Sequence, residues 1–131
     1  MFTPENVEYL GPNEVFVFGS NLLGQHGGGA AHLAFKKFGA KWGRSGAEGL
    51  HGQSYAFPTL NINMNKQSQE VLEASRDRLF ECAKENKDLV FFVTKLGCGI
   101  AGFSEEEIKP LFGKNTPKNI ILPKGWDVRY A

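Results

Sequence analysis

EVFVFGSNLLGQHGGGAA, residues 14–31, is the stretch that decides the fold: a short apolar run followed by a glycine-rich loop. The pattern returns at residues 89–103, LVFFVTKLGCGIAGF. Short, nearly continuous apolar runs are typical of strands buried on both faces of a parallel sheet. Ten of the sixteen glycines lie between residues 19 and 52, and three more between 97 and 102. Glycine at this density marks backbone that takes positive φ or passes close to a ligand.

Strand and helix patterns alternate along the chain. The predicted strands are residues 15–18, 55–57, 89–93 and 119–122, with Pro58 and Pro123 closing the second and fourth. The predicted helices are residues 29–38, residues 68–85 and a short helix that begins at Ser104, where Ser104 and Glu107 form a capping box and Pro110 ends it. This order predicts an α/β sandwich with a substantially parallel sheet, in one domain spanning residues 1–131.

Helical spacing of apolar residues predicts the buried faces of the two longer helices. The first carries such a stripe before Gly39, a suitable residue for ending a helix. Its members are Ala31, Ala34, Phe35 and Phe38. The stripe of the second helix consists of Leu72, Ser75, Leu79 and Cys82.

Composition argues against several function classes. The formal net charge is +1, so bulk electrostatics indicates neither a nucleic-acid face nor binding to an anionic membrane. No apolar stretch of about eighteen residues is present, and residues 1–5 lack the pattern of a signal peptide, so we expect a cytoplasmic protein. Cys82 and Cys98 indicate no disulfide framework, and together with the three histidines they show no metal-ligand spacing. No metal ion or other cofactor is expected.

Both glycine loops follow the carboxyl ends of predicted strands, the edge at which open α/β sheets bind ligands. Loops that open into helices present free N–H groups to phosphate. Residues 97–102 match G-x-G-x-x-G, but the dinucleotide fingerprint needs an acidic residue about twenty positions further on, and residues 120–123 contain none. Neither loop carries the Gly-Lys-Ser/Thr ending of a P-loop. The predicted site for a phosphorylated small molecule comprises Gly19, Ser20, Asn21, Gly27, Gly28, Gly29, Ala30, Gly97, Cys98, Gly99, Ile100, Ala101, Gly102 and Phe103.

Three side chains in these loops have candidate chemical roles. The Asn21 amide either bonds a sugar hydroxyl or shapes the loop as an Asx turn. His26 is either a general base or ligand contact, or a loop histidine without a role. If the protein is a hydrolase, Asn21 or His26 would position water, so these two are the candidate catalytic residues. Cys98 is either an exposed nucleophile stabilised by a helix N-terminus or a small side chain packed beneath the loop.

Charged and aromatic residues around the loops leave further alternatives open. Lys95 either meets a phosphate or reaches into solvent. Trp42 and Arg44, in a long glycine-containing segment, form either a lid or stacking wall at the site or a plug at the sheet edge. Residues 105–107, three consecutive glutamates, are interpreted as charges that favour a helix N-terminus rather than as paired glycosidase carboxylates.

At these residues the chain resembles the macrodomain superfamily, whose members bind ADP-ribose and related NAD-derived nucleotides. It looks most like a small macrodomain-like branch found in bacteria and phages, and the likeness covers nearly the whole chain. The motifs that carry it are FGSN at 18–21, GGGAA at 27–31, SYAFPT at 54–59 and VTKLGCGIAGF at 93–103. The resemblance implies a three-layer macrodomain-like sandwich with a mixed, largely parallel sheet.

The resemblance also implies roles for residues. It places Asn21 on the distal ribose, residues 27–29 along the diphosphate and distal ribose, and residues 97–103 around the diphosphate, with Phe103 near the distal ribose. Two positions depart from the family. No aspartate precedes the first strand, where macrodomains commonly hold adenine. Ala101 stands where the similar Gly-Cys-Gly glycohydrolases carry a catalytic aspartate.

The expected function is therefore binding of ADP-ribose or a related NAD-derived nucleotide between the two glycine loops. The chain would act as a binding module or sponge, or as a reader of an ADP-ribosylated macromolecule. The first alternative is an ADP-ribosyl hydrolase that removes ADP-ribose from modified protein or nucleic acid. The second is an interaction domain with a vestigial cleft.

Overall fold

The computed structural model describes residues 1–130, and its centre is one mixed sheet. The strands are Glu14–Asn21 (β1), Gly49–His51 (β2), Ser54–Leu60 (β3), Val90–Val93 (β4) and Ile120–Ile121 (β5). Their order across the sheet is β2-β3-β1-β4-β5. β1 pairs in parallel with β3 and with β4, and β4 pairs in parallel with β5, whereas β2 runs antiparallel to β3. The predicted mixed, largely parallel α/β fold is confirmed.

Three helices accompany the sheet: Gly29–Lys37 (α1), Gln69–Glu85 (α2) and Glu105–Ile108 (α3). Short 3₁₀ turns cover Arg44–Gly46 and Lys109–Leu111. No helix within residues 1–130 is both long enough and apolar enough to cross a membrane.

Alternation along β1 divides the apolar side chains between two cores, because successive residues of a strand point to opposite faces. Val15 and Val17 join the larger core, which includes residues of α2, α3 and the C-terminal segment. Phe16 and Phe18 join the smaller core, which includes Ala34 of α1. The sheet therefore lies between two packed layers, the arrangement of a three-layer sandwich.

The helix ends largely follow their sequence signals. The Ser68 hydroxyl accepts a hydrogen bond from the Val71 N–H at 3.3 Å at the start of α2. At the start of α3, the Ser104 N–H donates to Glu107 Oε1 at 2.9 Å, one half of the predicted capping box. Pro110 lies in the 3₁₀ turn that follows α3, as its ring predicts. α1 gives way to Gly39, whose φ of +81° suits the residue after a helix.

Two strand predictions need correction. Pro58 does not close its strand, since β3 continues to Leu60. Proline is tolerated there because β2 pairs with β3 only as far as Ala56. The outer edge of β3 at Pro58 therefore has no neighbouring strand to which a backbone N–H would donate. β1 also runs further than predicted, because residues 19–21 still pair with β3.

Two further differences lie between β1 and β3. β2 was not predicted, since its three residues fall in a glycine-rich segment that the sequence marks only as a loop. Phe35 is 38% exposed instead of buried. Its ring packs against Trp42 with centroids 5.3 Å apart, so the apolar stripe of α1 is narrower than its spacing indicates.

Candidate functional site

A cleft of about 850 Å³ opens where the two glycine loops leave the sheet. This size lies within the range of about 300–1,000 Å³ that is usual for small-molecule sites. Eleven of the fourteen predicted ligand-binding residues line it, namely Gly19, Ser20, Asn21, Gly27, Gly28, Gly29, Ala30, Gly97, Gly99, Ile100 and Ala101. The structure therefore brings both loops together at the carboxyl ends of β1 and β4. Cys98, Gly102, Phe103 and His26 do not border this cleft.

Backbone packing holds the two loops side by side. A Cβ at Gly19 would lie 3.0 Å from the Gly97 nitrogen, so any larger residue would push the loops apart. Gly97 has a φ of +71°, and a Cβ there would lie 2.7 Å from Phe103 Cδ2. Across the cleft, Ile100 Cδ1 comes within 3.2 Å of the position that a Cβ on Gly28 would occupy. Gly19 and Gly97 are therefore explained by the fold itself, whereas the contact at Gly28 is with the end of an exposed side chain that can move aside.

Gly27 and Gly99 are different, because the fold does not require glycine at either position. Neither has a positive φ. A Cβ built on either would find nothing within 4 Å, yet both residues line the cleft. The absence of side chains at these two positions keeps both glycine walls of the cleft open to a ligand that approaches the backbone.

The start of α1 supplies hydrogen-bond donors to the same wall. Gly28 is the N-cap residue and makes no side-chain cap bond, and Gly29 to Ala31 line the cleft. The N–H groups of a first helical turn have no acceptor within the helix, and the dipole makes this end positive. Lys36 and Lys37 lie at the opposite end of α1, where they favour the dipole. The wall suits an anionic group such as phosphate.

Asn21 borders the cleft, but both polar atoms of its side-chain amide form hydrogen bonds within the loop. Its Nδ2 donates to the Gln25 carbonyl at 2.8 Å, and its Oδ1 accepts from the Gln25 N–H at 3.1 Å. The side chain is only 7% exposed. This is the loop-shaping alternative, and it leaves Asn21 as a wall of the cleft rather than a group that positions water. The neighbouring Ser20 hydroxyl donates to the Ala47 carbonyl in the same buried layer.

The predicted general-base role of His26 does not fit its position. The ring has no solvent exposure, and Nε2 lies 2.8 Å from the Lys41 carbonyl oxygen. Phe18 and Trp42 pack against the ring in edge-on geometry at centroid distances of 5.2 and 6.0 Å. A general base must reach the proton that it removes. His26 instead fastens the segment around Lys41 to the first glycine loop.

Cys98 and Phe103 support the second glycine loop and do not border the cleft. The Cys98 thiol donates to the Leu96 carbonyl at 3.5 Å, and burial raises its pKa, which opposes formation of a thiolate nucleophile. Phe103 is 7% exposed, and its N–H donates to the Gly97 carbonyl at 2.9 Å. The packing alternative describes Cys98, and the predicted ligand contact of Phe103 is replaced by support of the loop.

The charged residues after β4 are used partly for structure. Lys95 borders the cleft, with its Nζ 3.4 Å from Glu105 Oε2. A hydrogen bond from the Trp126 indole lowers the pKa of Glu105, and the Ser104 backbone N–H lowers that of Glu107. A glycosidase acid needs a raised pKa instead. The interpretation of residues 105–107 as helix N-terminal charges agrees with this geometry.

Trp42 lines the cleft and is 49% exposed, whereas Arg44 is not among the lining residues. The Gly43 N–H donates to the Gly24 carbonyl at 3.0 Å, which ties the Trp42 segment to the first glycine loop. Trp42 is therefore a wall of the cleft. Arg44 begins a 3₁₀ turn beside it.

Several lining residues escaped prediction because they come from distant parts of the chain. The N-terminal segment from Glu5 to Glu8 forms one side of the cleft, and Val7 packs into the smaller core with Phe16 and Leu33. Their pattern in the sequence carries no sign of a site. The remaining unpredicted lining residues are Phe16, Gln25, Ala31, Leu33, Lys37, Thr59, Leu60, Met64 and Thr94.

Comparison of the chain with protein-family models, with curated proteins and with solved structures gave no match. The resemblance to macrodomains therefore stays a prediction. The function of the cleft is therefore inferred from its own geometry.

Proposed function

We propose that the cleft binds ADP-ribose or a closely related NAD-derived nucleotide, and that the chain is a binding module. The observation that carries this proposal is the pair Gly27 and Gly99, two glycines that the fold does not need and that keep opposite loops bare. Bare backbone beside the start of α1 suits a diphosphate. The macrodomain resemblance of the same loops supports the choice of ligand.

The two ends of the cleft differ in chemistry, as such a ligand requires. Towards the start of β1, the half-buried Leu33, which packs in the smaller core with the buried Val7 and Phe16, offers an apolar surface that suits a flat adenine ring. Towards the end of β1, the exposed side chain of Gln25 offers polar groups that suit ribose, whereas the Asn21 amide and the Thr59 hydroxyl form hydrogen bonds within the protein. The glycine loops and the start of α1 form the wall that suits the diphosphate, so the cleft combines apolar, anion-binding and polar surfaces for the three parts of the ligand.

The titratable groups that line the cleft favour binding over hydrolysis. Within residues 1–130, the titratable side chains that line the cleft are Glu5, Glu8, Lys37 and Lys95. The two carboxylates belong to the N-terminal segment and not to either glycine loop. Ala101 lines the cleft without an acid or base. Shape and N–H donors suffice for a module, including one that reads an ADP-ribosylated macromolecule, whereas hydrolysis needs a positioned proton-transfer group.

Addition of ADP-ribose is expected to raise the melting temperature by several degrees. A one-site ligand at one hundred times its Kd adds about 2.7 kcal/mol to the free energy of unfolding. Differential scanning fluorimetry with calorimetry, using AMP and ribose 5-phosphate as fragment controls, measures the effect. A protein that shows neither a shift nor binding heat at millimolar ADP-ribose contradicts the proposal and favours an interaction domain with a vestigial cleft.

The unmodified protein is expected to bind a carboxylate-linked ADP-ribosyl peptide without releasing ADP-ribose. Ala101 supplies no proton transfer, and a positioned acid or base is worth about 10²–10⁴-fold in rate. Single-turnover release followed by mass spectrometry checks this, with A101D as the comparison variant. Rapid release by the unmodified protein contradicts the module and supports the hydrolase alternative. Release by A101D alone shows that only this carboxylate is missing from a hydrolytic site.

A further inference from the structure

We propose that the preferred ligand is an intact dinucleotide of the NAD⁺ type, whose second planar base stacks on an apolar rim formed by Trp42, Met64 and Ile100. The inference rests on the proposed function, since it specifies which NAD-derived nucleotide the same cleft takes. Free ADP-ribose ends in a polar ribose and would leave this rim facing water. A second base on that ribose would cover it.

The apolar rim is exposed although it belongs to the cleft. Trp42 is 49% exposed, Met64 45% and Ile100 89%, and all three line the cavity. They come from three different loops, after α1, β3 and β4. Apolar side chains that converge on a cleft from separate loops mark a binding surface more than isolated surface residues do.

Met64 is held over the cleft at the expense of backbone strain. Its φ of +60° is the one positive value of a non-glycine residue within residues 1–130. The loop is fixed by Asn61, whose Oδ1 accepts from the Asn63 and Asn65 N–H groups at 2.9 and 3.1 Å. The Met64 N–H donates to the Asn61 carbonyl at 2.9 Å. Strained residues of this kind cluster at ligand sites, and a methionine thioether packs well on aromatic rings.

Trp42 is positioned in advance for stacking. Phe35 and His26 pack edge-on against its ring at centroid distances of 5.3 and 6.0 Å, which restrict its rotation. The ring still remains half exposed. A tryptophan face also attracts cations, and the nicotinamide ring of NAD⁺ carries a positive charge.

The rim lies at the end of the cleft where a second base would emerge. The Leu22 N–H donates to the Leu60 carbonyl at 3.0 Å, so the loop that carries Met64 leaves β3 beside Asn21. The Trp42 segment is tied to Gly24, next to Gln25. This is the polar, ribose-binding end in the proposed function, opposite the apolar end around Val7. The cavity of about 850 Å³ has room for both bases, since it lies near the upper end of the usual range.

The test compares the affinities of NAD⁺ and ADP-ribose by calorimetry. The unmodified protein is expected to bind NAD⁺ at least tenfold more tightly. M64N, which tolerates positive φ, and W42A are each expected to reduce the ratio of NAD⁺ affinity to ADP-ribose affinity from at least tenfold to about one. The matched control is I62N, because Ile62 is 52% exposed in the same loop but does not line the cleft. I62N should leave both affinities unchanged.

Tryptophan fluorescence supplies a second, direct readout. The chain has two tryptophans, and Trp126 is only 2% exposed. NAD⁺ is therefore expected to quench the emission of Trp42, ADP-ribose to leave it nearly unchanged, and W42F to lose the quenching by NAD⁺.

Each outcome decides between the two proposals. Tighter NAD⁺ binding that M64N and W42A abolish supports the second-base site. If ADP-ribose binds and NAD⁺ binds equally or more weakly, the second-base site is overturned while the proposed function stands. If neither ligand binds, the proposed function falls first and this inference with it.

Discussion

G27E and G99E are each expected to weaken ADP-ribose binding at least about 100-fold, about 2.8 kcal/mol, while the protein keeps its melting temperature. Both positions line the cleft, and a Cβ at either finds open space. The new carboxylate enters the region proposed for the diphosphate, where like charges oppose each other at a cost of several kcal/mol. Stability is unaffected because neither residue has a positive φ and neither is packed.

Calorimetric titration of each variant measures this effect, with scanning calorimetry to verify folding. G113E is the matched control, since Gly113 also lacks a positive φ and meets only Asn115 Oδ1 at 3.5 Å, outside the cleft. It should bind ADP-ribose like the unmodified protein. Normal affinity in folded G27E and G99E would move the site away from the glycine loops.

F57A is expected to lower the free energy of unfolding by about 3–5 kcal/mol, a large share of the roughly 5–15 kcal/mol of an ordinary domain. Phe57 is fully buried in the larger core, on β3, next to the strand that carries the first glycine loop. Truncation to alanine removes apolar burial and leaves a cavity that the surrounding sheet and helix α2 fill only in part.

Urea unfolding monitored by circular dichroism checks this value. F2A is the control, because Phe2 is 51% exposed and its loss should change the free energy of unfolding by less than about 1 kcal/mol. A small loss in F57A, comparable with that of F2A, would contradict the packing of the larger core.

The local patterns of this chain predicted much of the sheet and the helices. The runs at Val15 and Val90 became neighbouring parallel strands, and Ser104 and Glu107 form the predicted capping box at the start of α3. These features succeed because strand alternation, helical spacing and capping act within a few residues. The convergence of the two glycine loops also followed from topology, since parallel strands end at one edge.

The tertiary structure alone decided what several side chains do. His26 and Phe103 looked like ligand contacts, but both are buried, while Phe35 looked like core and faces Trp42 at the surface. Whether each of these side chains is buried or exposed depends on segments distant in sequence that pack over it or beside it.

The difference between local and long-range contacts also explains which parts of the cleft could be predicted from the sequence alone. The glycine walls arise from local backbone, so Gly27 and Gly99 were identifiable from their loops. The N-terminal wall at Val7 and the strained rim residue Met64 come from long-range packing and loop closure. Non-local contacts of this kind depend on how the sheet brings remote segments together, which no short window of residues encodes.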